Sequence, residues 1–486
     1  MNKLKQQMNE QVSYKILYIL VLIIMIIPSI LYIAKHKTIL NFTEYFTFFL
    51  HRPITSLECI IGAVLFGIVF ILLIYLYFKI LKNSTKEFQN IKQVLIFVLL
   101  ISIMFGIILP ITSSDIFYYI GTGWLESNYH QNPYYTTSYE VRVENPNDEI
   151  LQKTGTWENR IVVYGPLWSL ICRFLSSMSF GSIDIALCLY KIVAIGIHII
   201  NTLIVFKITG RKKFALLYGI NPFILIEMIS NLHNDLYLIF FTLLALYFLL
   251  KKKNIILTIV FMAFATCVKY VSVLLIPFMV LYYLKNKKIL QKILYCLLYA
   301  IIFISIVVLL YLMYAKDLEI FSTIFQMRGE TRGTIYSILN RISIKTQIDF
   351  LHYGKIIFTT IFILVFIDAL IYMFVKKKNN IRNTIRKYNN VILAFIFIFL
   401  TIIFPWYISW LISTIFWLKG KNIKKILYLQ FAYELSIVTN IALCSDNWRI
   451  SILNIPIILI LMMVFIKIEK IKNKHILKMK GVENEK

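Results

Sequence analysis

The sequence predicts an all-α polytopic membrane protein, a helical bundle of about 12 to 14 transmembrane helices. Of the 486 residues, 59% are hydrophobic and the mean hydropathy is +0.76, which is too apolar for a soluble globular chain whose surface must face water. Short basic clusters also separate the apolar runs. The formal net charge of +27 therefore belongs to the ends of membrane helices, and nucleic acid is excluded as a partner.

The basic clusters predict the side on which each loop lies. Lys and Arg accumulate on the cytoplasmic side, so the chain between two neighbouring clusters crosses the membrane an even number of times and both termini are cytoplasmic. The clusters lie at Lys3 to Lys15, Lys79 to Lys92, Lys207 to Lys213, Lys251 to Lys253, Lys285 to Lys292, Lys376 to Lys387, Lys419 to Lys425 and from Lys467 onward. The outward-facing breaks are then predicted at residues 35–56, 111–182, 229–232, near 269, 315–353, near 405 and 444–449.

A single domain is expected. Residues 1–486 form one transmembrane unit with two large extracytoplasmic loops, residues 111–165 and 315–353. The apolar segments 254–268 and 391–404 are short for a full crossing, which takes about 20 residues, and we expect them to be tilted or re-entrant.

Ionisable residues inside the apolar runs mark the predicted functional region. A charge at the centre of a membrane helix costs about 2.5 to 3.5 kcal/mol on insertion scales. Most of these residues lie at or near the outer ends of the predicted spans: Asp184, Lys191, Glu227, Asp235, Lys269, Glu434 and Asp446. Asp368 is the exception. They predict a polar, carboxylate-bearing cavity at the outer face, beneath the two large loops.

Four segments of the chain together resemble a known family. They occur in this order: "SSDIFYYIGTGWLESNYHQNPY" with Asp115, "YGPLWSL" from Tyr164, "NPFILIEMISNLHNDLYLIFFTLLAL" with Glu227 and His233-Asn234-Asp235, and "FPWYISW" from Phe404. The set resembles the GT-C superfamily of polytopic glycosyltransferases, and within it the bacterial polyprenol-phosphate-mannose-dependent α-mannosyltransferases. The resemblance implies a GT-C-like bundle whose external loops carry short helices. Two predicted spans precede the aspartate loop, and the C-terminal spans carry no motif of the family.

The resemblance implies that Asp115 is the catalytic base. Transfer from a lipid phosphate has a leaving group that needs little protonation, so one carboxylate acting on the acceptor hydroxyl is sufficient. The family relationship also implies inversion at the anomeric carbon, from a β-linked phosphosugar to an α-linked product. The alternative from local sequence is a helix N-cap, because Ser113, Ser114 and Asp115 follow Pro110 and precede a helical pattern.

A second group of candidates surrounds the third motif. Glu227, His233, Asn234 and Asp235 are candidate ligands for the sugar hydroxyls, and the alternative is a polar turn that bonds its own backbone. A metal site of His233, Asp235 and Glu227 has no strong ligand spacing in its favour. We therefore expect no cofactor, while a divalent metal stays open.

Three cations are candidates for binding the donor phosphate. Lys269 interrupts an apolar stretch, where an ammonium needs an anion or water, and snorkelling to the interface is its alternative role. Arg328 and Arg332 are four residues apart and share one face if the segment is helical; the alternative is a pair of solvated loop charges.

Aromatic residues complete the predicted site. Tyr118, Tyr119, Trp406 and Tyr407 are candidates for stacking on a sugar or a prenyl chain, or for an interfacial aromatic belt, which has the same sequence pattern.

The leading hypothesis is an inverting hexosyltransferase, expected to be a mannosyltransferase, of the cell membrane. Its partners would be a polyprenyl-phosphate sugar donor, a glycolipid, glycopolymer or protein acceptor, and membrane lipids. A transporter or lipid-linked sugar flippase is the alternative, although a transporter would place its coupling charges near the bilayer midplane.

Overall fold

The computed structural model is a bundle of α-helices and confirms the predicted fold class. It describes residues 14–27, 29–30, 57–110, 112–318, 320–321, 330–376, 380–443 and 457–468. About 79% of the described residues are helical, and they contain no strand. Arg328, Asp446 and the predicted breaks at 35–56 and 444–449 lie outside the described residues.

The first half of the chain alternates long apolar helices with short ones. The helices are α1 (Tyr14–Ile27), α2 (Leu57–Glu87), α3 (Ile91–Ile107), α4 (Asp115–Tyr129), α5 (Ser138–Glu144), α6 (Pro166–Ser177), α7 (Ile183–Thr209), α8 (Lys212–Gly219) and α9 (Pro222–Leu225), which continues into a π-helical turn, Ile226–Ser230.

The second half has more irregular segments. The elements are α10 (Asp235–Tyr247) with a π-helical end, Phe248–Lys252; α11 (Ile255–Thr266); a 3₁₀ segment, Tyr270–Leu275, leading into α12 (Ile276–Tyr283); α13 (Ile289–Tyr311); α14 (Ile335–Thr346); α15 (Phe350–Val375); α16 (Ile381–Ala394) with a π-helical end, Phe395–Phe399; 3₁₀ segments Pro405–Leu411 and Ile415–Trp417; α17 (Gly420–Leu443); and α18 (Ile457–Ile468).

Within the described residues, four helices are long and apolar enough to cross a membrane: α2, α7, α13 and α15. A fifth candidate is α8 together with α9 and its π-turn, a pair bent by 47°. The outer surface of α13 is covered by exposed Leu and Ile side chains, as expected of a helix that faces lipid. The protein is therefore a membrane protein, while the number of crossings stays a prediction.

Three helix breaks fall where the sequence predicts outward-facing breaks. One separates the π-turn from α10, the second separates α11 from the 3₁₀ segment at Tyr270, and the third precedes Pro405. The predicted short segment 254–268 contains α11, a helix of 12 residues. Because α10 packs against both α11 and the segment Pro405–Leu411, the three breaks come together in space.

A close backbone approach joins the second motif to the break after α11. Gly165 N donates to Val268 O at 3.3 Å, and Leu167 N donates to Cys267 O at 3.0 Å. A Cβ atom at Gly165 would lie 2.3 Å from Cys267 O, so only glycine fits there. This contact brings Tyr164 beside Lys269, whose Nζ lies 5.9 Å from the Tyr164 ring centroid.

The segment between α3 and α6 is a folded cap. Helix α4 packs along α6, and α5 begins with a capping box between Thr137 and Glu140. Asp148 accepts hydrogen bonds from Trp124 Nε1 and Tyr129 Oη, both at 2.8 Å. These contacts hold the loop against the C-terminal half of α4.

Candidate active site

Asp115 is the first residue of α4, and its side chain does not cap the helix. Its backbone N–H bonds Ser113 Oγ at 3.3 Å, while its Oδ1 accepts a hydrogen bond from Trp157 Nε1 at 3.0 Å. The predicted helix after Pro110 is present, and Ser114, at the cap position, makes no side-chain cap bond. The carboxylate is therefore turned toward other parts of the chain.

Asp115 lines a cavity of about 330 Å³. The walls come from the start of α4, the loop before α6, the segment around Lys269 and the segment 395–410. Most of the lining is aromatic or aliphatic, and the charged lining residues are Asp115, Arg160 and Lys269. A few polar groups in an otherwise apolar concavity are typical of a small-molecule site.

Lys269 is held by a buried carboxylate. Its Nζ lies 3.0 Å from Asp235 Oδ1 and 2.9 Å from Asp235 Oδ2. Trp410 Nε1 also donates to Asp235 Oδ1. The ammonium lies 4.9 Å from the Tyr407 ring centroid, a cation–π distance, so the cation is fixed at the cavity wall.

A chain of buried side chains extends from Asp115 into the bundle. His233 Nδ1 lies 3.6 Å from Asp115 Oδ2, and His233 Nε2 lies 3.1 Å from Glu227 Oε2. The imidazole stacks on Trp406, with ring centroids 3.8 Å apart and an angle of 21° between the planes. The side chains of His233 and Glu227 have no solvent exposure.

Glu434 of α17 lies behind Glu227. Its fully buried carboxyl group is in contact with that of Glu227. Among the described residues, no hydrogen-bond donor reaches either Glu434 oxygen. Two carboxyl groups therefore meet in the interior, with His233 on the side of the pair that faces Asp115.

Asn231 ties the π-turn to the segment that precedes α4. Its Nδ2 lies 3.0 Å from Glu227 Oε2 and also contacts Thr112 Oγ1. Its Oδ1 accepts a hydrogen bond from Thr112 N at 3.3 Å. Since this residue bridges the two segments, it sets the position of Asp115 relative to His233.

The second predicted loop reaches the cavity through its backbone. Arg332 N donates to Thr401 O and Ile403 N donates to Arg332 O, both at 3.0 Å. The Arg332 guanidinium lies 5.6 Å from the ring centroid of Phe404, which lines the cavity. An ion pair between Arg160 and Glu330 links the two loops.

The model of one protein family matches this chain. The family is described as alpha-(1->6)-mannopyranosyltransferase, N-terminal domain (MptA/B family), and the match covers residues 20–285 of 486. The chain belongs to this family. It is a membrane mannosyltransferase, and the GT-C resemblance is confirmed. No curated protein and no solved structure matches the chain.

The predicted site residues of this mannosyltransferase fall into two groups. The cavity is lined by Asp115, Tyr118, Lys269, Trp406 and Tyr407. Behind its wall lie the buried residues Tyr119, Glu227, His233, Asn234 and Asp235. Tyr119 Oη donates to Tyr164 Oη at 3.3 Å. The buried group therefore supports the cavity wall from behind.

The third motif forms the expected turn, but its side chains bond distant residues. Leu232 has a positive φ of 62°, and His233 N donates to Glu227 O at 3.1 Å. Asn234, at the cap position of α10, makes no side-chain cap bond. Because Asp235 faces Lys269, it does not join His233 and Glu227. Among the described residues, no group of three or more His, Cys, Asp or Glu side chains has an arrangement that could hold a metal ion.

Some contributors to the site were not among the predicted site residues. They include Trp157, Arg160, Asn231, Trp410 and Glu434. Asn231 and Trp410 lie in the third and fourth motifs and Glu434 among the predicted outer charges, so these three carried a partial signal. Trp157 carried none, because nothing in the local sequence pairs it with a residue 42 positions away.

Proposed function

We propose that this mannosyltransferase is an inverting enzyme that takes mannose from a polyprenyl phosphate and forms the alpha-(1->6) linkage that the family description names. The acceptor hydroxyl belongs to a glycolipid, a glycopolymer or a protein. The observation that carries the proposal is that the cavity with Asp115 adjoins an apolar groove. Val273 lines both.

The groove has the properties that a prenyl chain requires. Its volume is about 680 Å³, and it lies between the 3₁₀ segment and α12 on one side and α13 and α15 on the other. None of its lining residues is charged. Burying an apolar chain there gains about 25 cal/mol per Å² of apolar surface, while the phosphate and the sugar extend past Val273 into the polar cavity.

The proposed reaction uses Asp115 as the base. The acceptor oxygen bonds to C1 of mannose, its proton moves to Asp115 Oδ2, and the bond from C1 to the phosphate oxygen breaks with its electron pair on the phosphate. The hydrogen bond from Trp157 to Oδ1 orients the carboxylate and leaves Oδ2 for the acceptor. The phosphate leaves as an anion, so no general acid is required.

Lys269 is proposed to bind the leaving phosphate. Two of its contacts are the short ones to Asp235, and the third, to Asn234 Oδ1, is 3.5 Å long. A phosphate oxygen can accept a hydrogen bond from the Lys269 N–H that makes this long contact. Trp406, Tyr407 and Tyr118 offer faces for the sugar ring. Arg332 provides further positive charge beside Phe404 of the cavity wall, and Arg328, which lies outside the described residues, stays a predicted phosphate ligand.

The proposed side of the membrane is extracytoplasmic. Helix α10 begins with Asp235 at the site and its π-helical end carries Lys251 and Lys252. Helix α7 likewise ends with Lys207. Lys and Arg favour the cytoplasmic side, which supports an outer site. With it we propose cytoplasmic termini and one domain over residues 1–486 with outer loops at 111–165 and 315–353.

The donor and the base are tested together. Membranes are supplied with radiolabelled polyprenyl-phosphate mannose and candidate acceptors, and wild type is compared with Asp115→Asn at equal protein levels. We expect Asp115→Asn to lower transfer about 100-fold or more. Asp368→Asn is the matched control, since Asp368 pairs with Lys387 at 3.0 Å and its side chain is 75% exposed.

The outcomes separate the alternatives. Unchanged transfer by Asp115→Asn rejects Asp115 as the base. Transfer from a nucleotide sugar but not from the lipid donor rejects the donor. Movement of the lipid-linked sugar across sealed vesicles, with no product from any donor, favours the flippase.

Cysteine labelling tests on which side of the membrane the site lies. A cysteine at the exposed position Glu144 should react with an impermeant maleimide on intact cells, whereas one at Lys253 should react only after lysis. The reverse pattern rejects an outer site.

A further inference from the structure

The buried side chains behind Asp115 include two carboxyl groups that the proposed reaction does not use. Glu227 and Glu434 are both fully buried, and their carboxyl groups are in contact. The nearby ammonium of Lys269 is paired with Asp235. Among the described residues, His233 is the group beside the carboxyl pair that can carry positive charge.

Charge repulsion limits the protonation states of this pair. Two carboxylates in contact within a low-dielectric interior cannot both be ionised, so they hold at least one proton between them. Glu227 also accepts a hydrogen bond from Asn231 Nδ2 and faces His233 Nε2. Both of these neighbours face Glu227, whereas no hydrogen-bond donor of the described residues reaches the oxygens of Glu434. The shared proton is therefore assigned to Glu434.

The ring of His233 is placed between two acids. Its Nε2 faces Glu227 and its Nδ1 faces Asp115. The stacking on Trp406 fixes the plane of the ring. Because the ring has no solvent exposure, it exchanges protons through these neighbours rather than with bulk water.

We propose that His233, Glu227 and Glu434 form a proton-accepting relay behind Asp115. Glu227 and Glu434 share one proton, and His233 takes up the proton that Asp115 removes from the acceptor hydroxyl. The relay rests on the proposed function for the identity of the base. It assigns to His233 the uptake of the proton and to Glu227 and Glu434 a positioning role, all without contact with the sugar.

The proton and the charges balance along the relay. The proposed cycle starts with Asp115 as the carboxylate and with one proton on His233, at Nε2, which lies 3.1 Å from Glu227 Oε2. When the acceptor oxygen bonds to C1, its proton moves to Asp115 and from there to His233 Nδ1. The imidazolium lies between Asp115, which is again ionised, and Glu227, whose charge stabilises it. The electron pair of the broken C1–oxygen bond leaves with the phosphate.

The shared proton is tested without any turnover. Infrared difference spectra of the purified protein at neutral pH are recorded for wild type minus Glu434→Gln, in light and in heavy water. We expect a carbonyl band of a protonated carboxylic acid that shifts in heavy water and is also absent from Glu434→Leu. Absence of this band from wild type overturns the proposal whatever the activity, and an inactive lipid donor leaves this result unaffected.

Kinetics test the relay itself. Glu227→Gln and His233→Gln are each expected to lower kcat about tenfold or more with an unchanged KM for the donor. The double variant should lose no more than either single variant, because the two residues act as one unit. Wild-type kcat for Glu227→Gln, or losses that multiply in the double variant, overturns the relay.

Two variants of Glu434 separate the shared proton from simple packing. Glu434→Gln keeps a donor for the Glu227 carboxylate and should lower kcat less than Glu434→Leu, which removes the donor and should lower kcat about tenfold. Equal losses in both variants contradict the proposal. Glu126→Gln is the matched control: Glu126 is buried on α4, burial raises its pKa, and its partners are Arg173 and Tyr314.

Discussion

Lys269 donates hydrogen bonds to both carboxylate oxygens of Asp235, at 2.9 and 3.0 Å, although 34 positions separate the two residues. Asp235 is fully buried, and the Lys269 side chain is 14% exposed. The pair therefore fixes the break after α11 to the start of α10 and places the ammonium at the cavity wall.

Breaking this pair on one side should destabilise the protein. Lys269→Met leaves Asp235 as an uncompensated buried charge, which costs about 3 to 5 kcal/mol. Adding Asp235→Asn removes that charge and keeps an acceptor for Trp410 Nε1, so the double variant should be more stable than Lys269→Met. Thermal unfolding in detergent measures both. A double variant less stable than the single one would show that the ion pair is not the source of the loss.

The tryptophan beside Asp115 should contribute to turnover. Trp157→Phe keeps the ring and removes the N–H that bonds Asp115 Oδ1, and a hydrogen bond to a charged group is worth about 1.5 to 3 kcal/mol. We expect kcat/KM to fall about tenfold or more, measured with the lipid donor. Trp124→Phe is the control, because Asp148 still accepts from Tyr129 and from Leu151 N. Equal kinetics for the two variants would remove Trp157 from the site.

The close approach at Gly165 should not tolerate a side chain. Its Cβ would overlap Cys267 O, so Gly165→Ala must separate the two segments and displace Tyr164 from Lys269. We expect loss of folded protein by size-exclusion chromatography in detergent. Gly196→Ala is the control, since a Cβ there meets nothing within 4 Å. Normal folding of Gly165→Ala would contradict the observed contact.

The apolar groove should determine the preference for donor length. Ala300→Trp fills part of the groove and should raise KM for a long-chain donor more than KM for a short-chain donor, with kcat retained. The control is Leu298→Trp, on the exposed side of the same helix. Competition between donors of different chain length provides the measurement. The same shift in both variants would mean that the groove does not hold the prenyl chain.

The sequence predicted some parts of the site and could not predict others. Asp115 was singled out by the family resemblance of the stretch in which it lies, and it lines the cavity. His233 and Glu227 were predicted to face the sugar, whereas both are buried behind the wall. Their depth depends on how the π-turn packs against α3 and α7, and no local pattern encodes that packing.

Composition and periodicity by themselves determined the helical membrane class and the positions of the main breaks, and they identified the ionisable residues that interrupt apolar runs. They could do so because burial in lipid constrains each segment on its own. Only the tertiary structure decided the partners. It paired Lys269 with Asp235, set His233 between Asp115 and Glu227, and brought Glu434 of α17 against Glu227. These pairs join residues far apart in the chain, and their distances follow from how the helices cross and where they break.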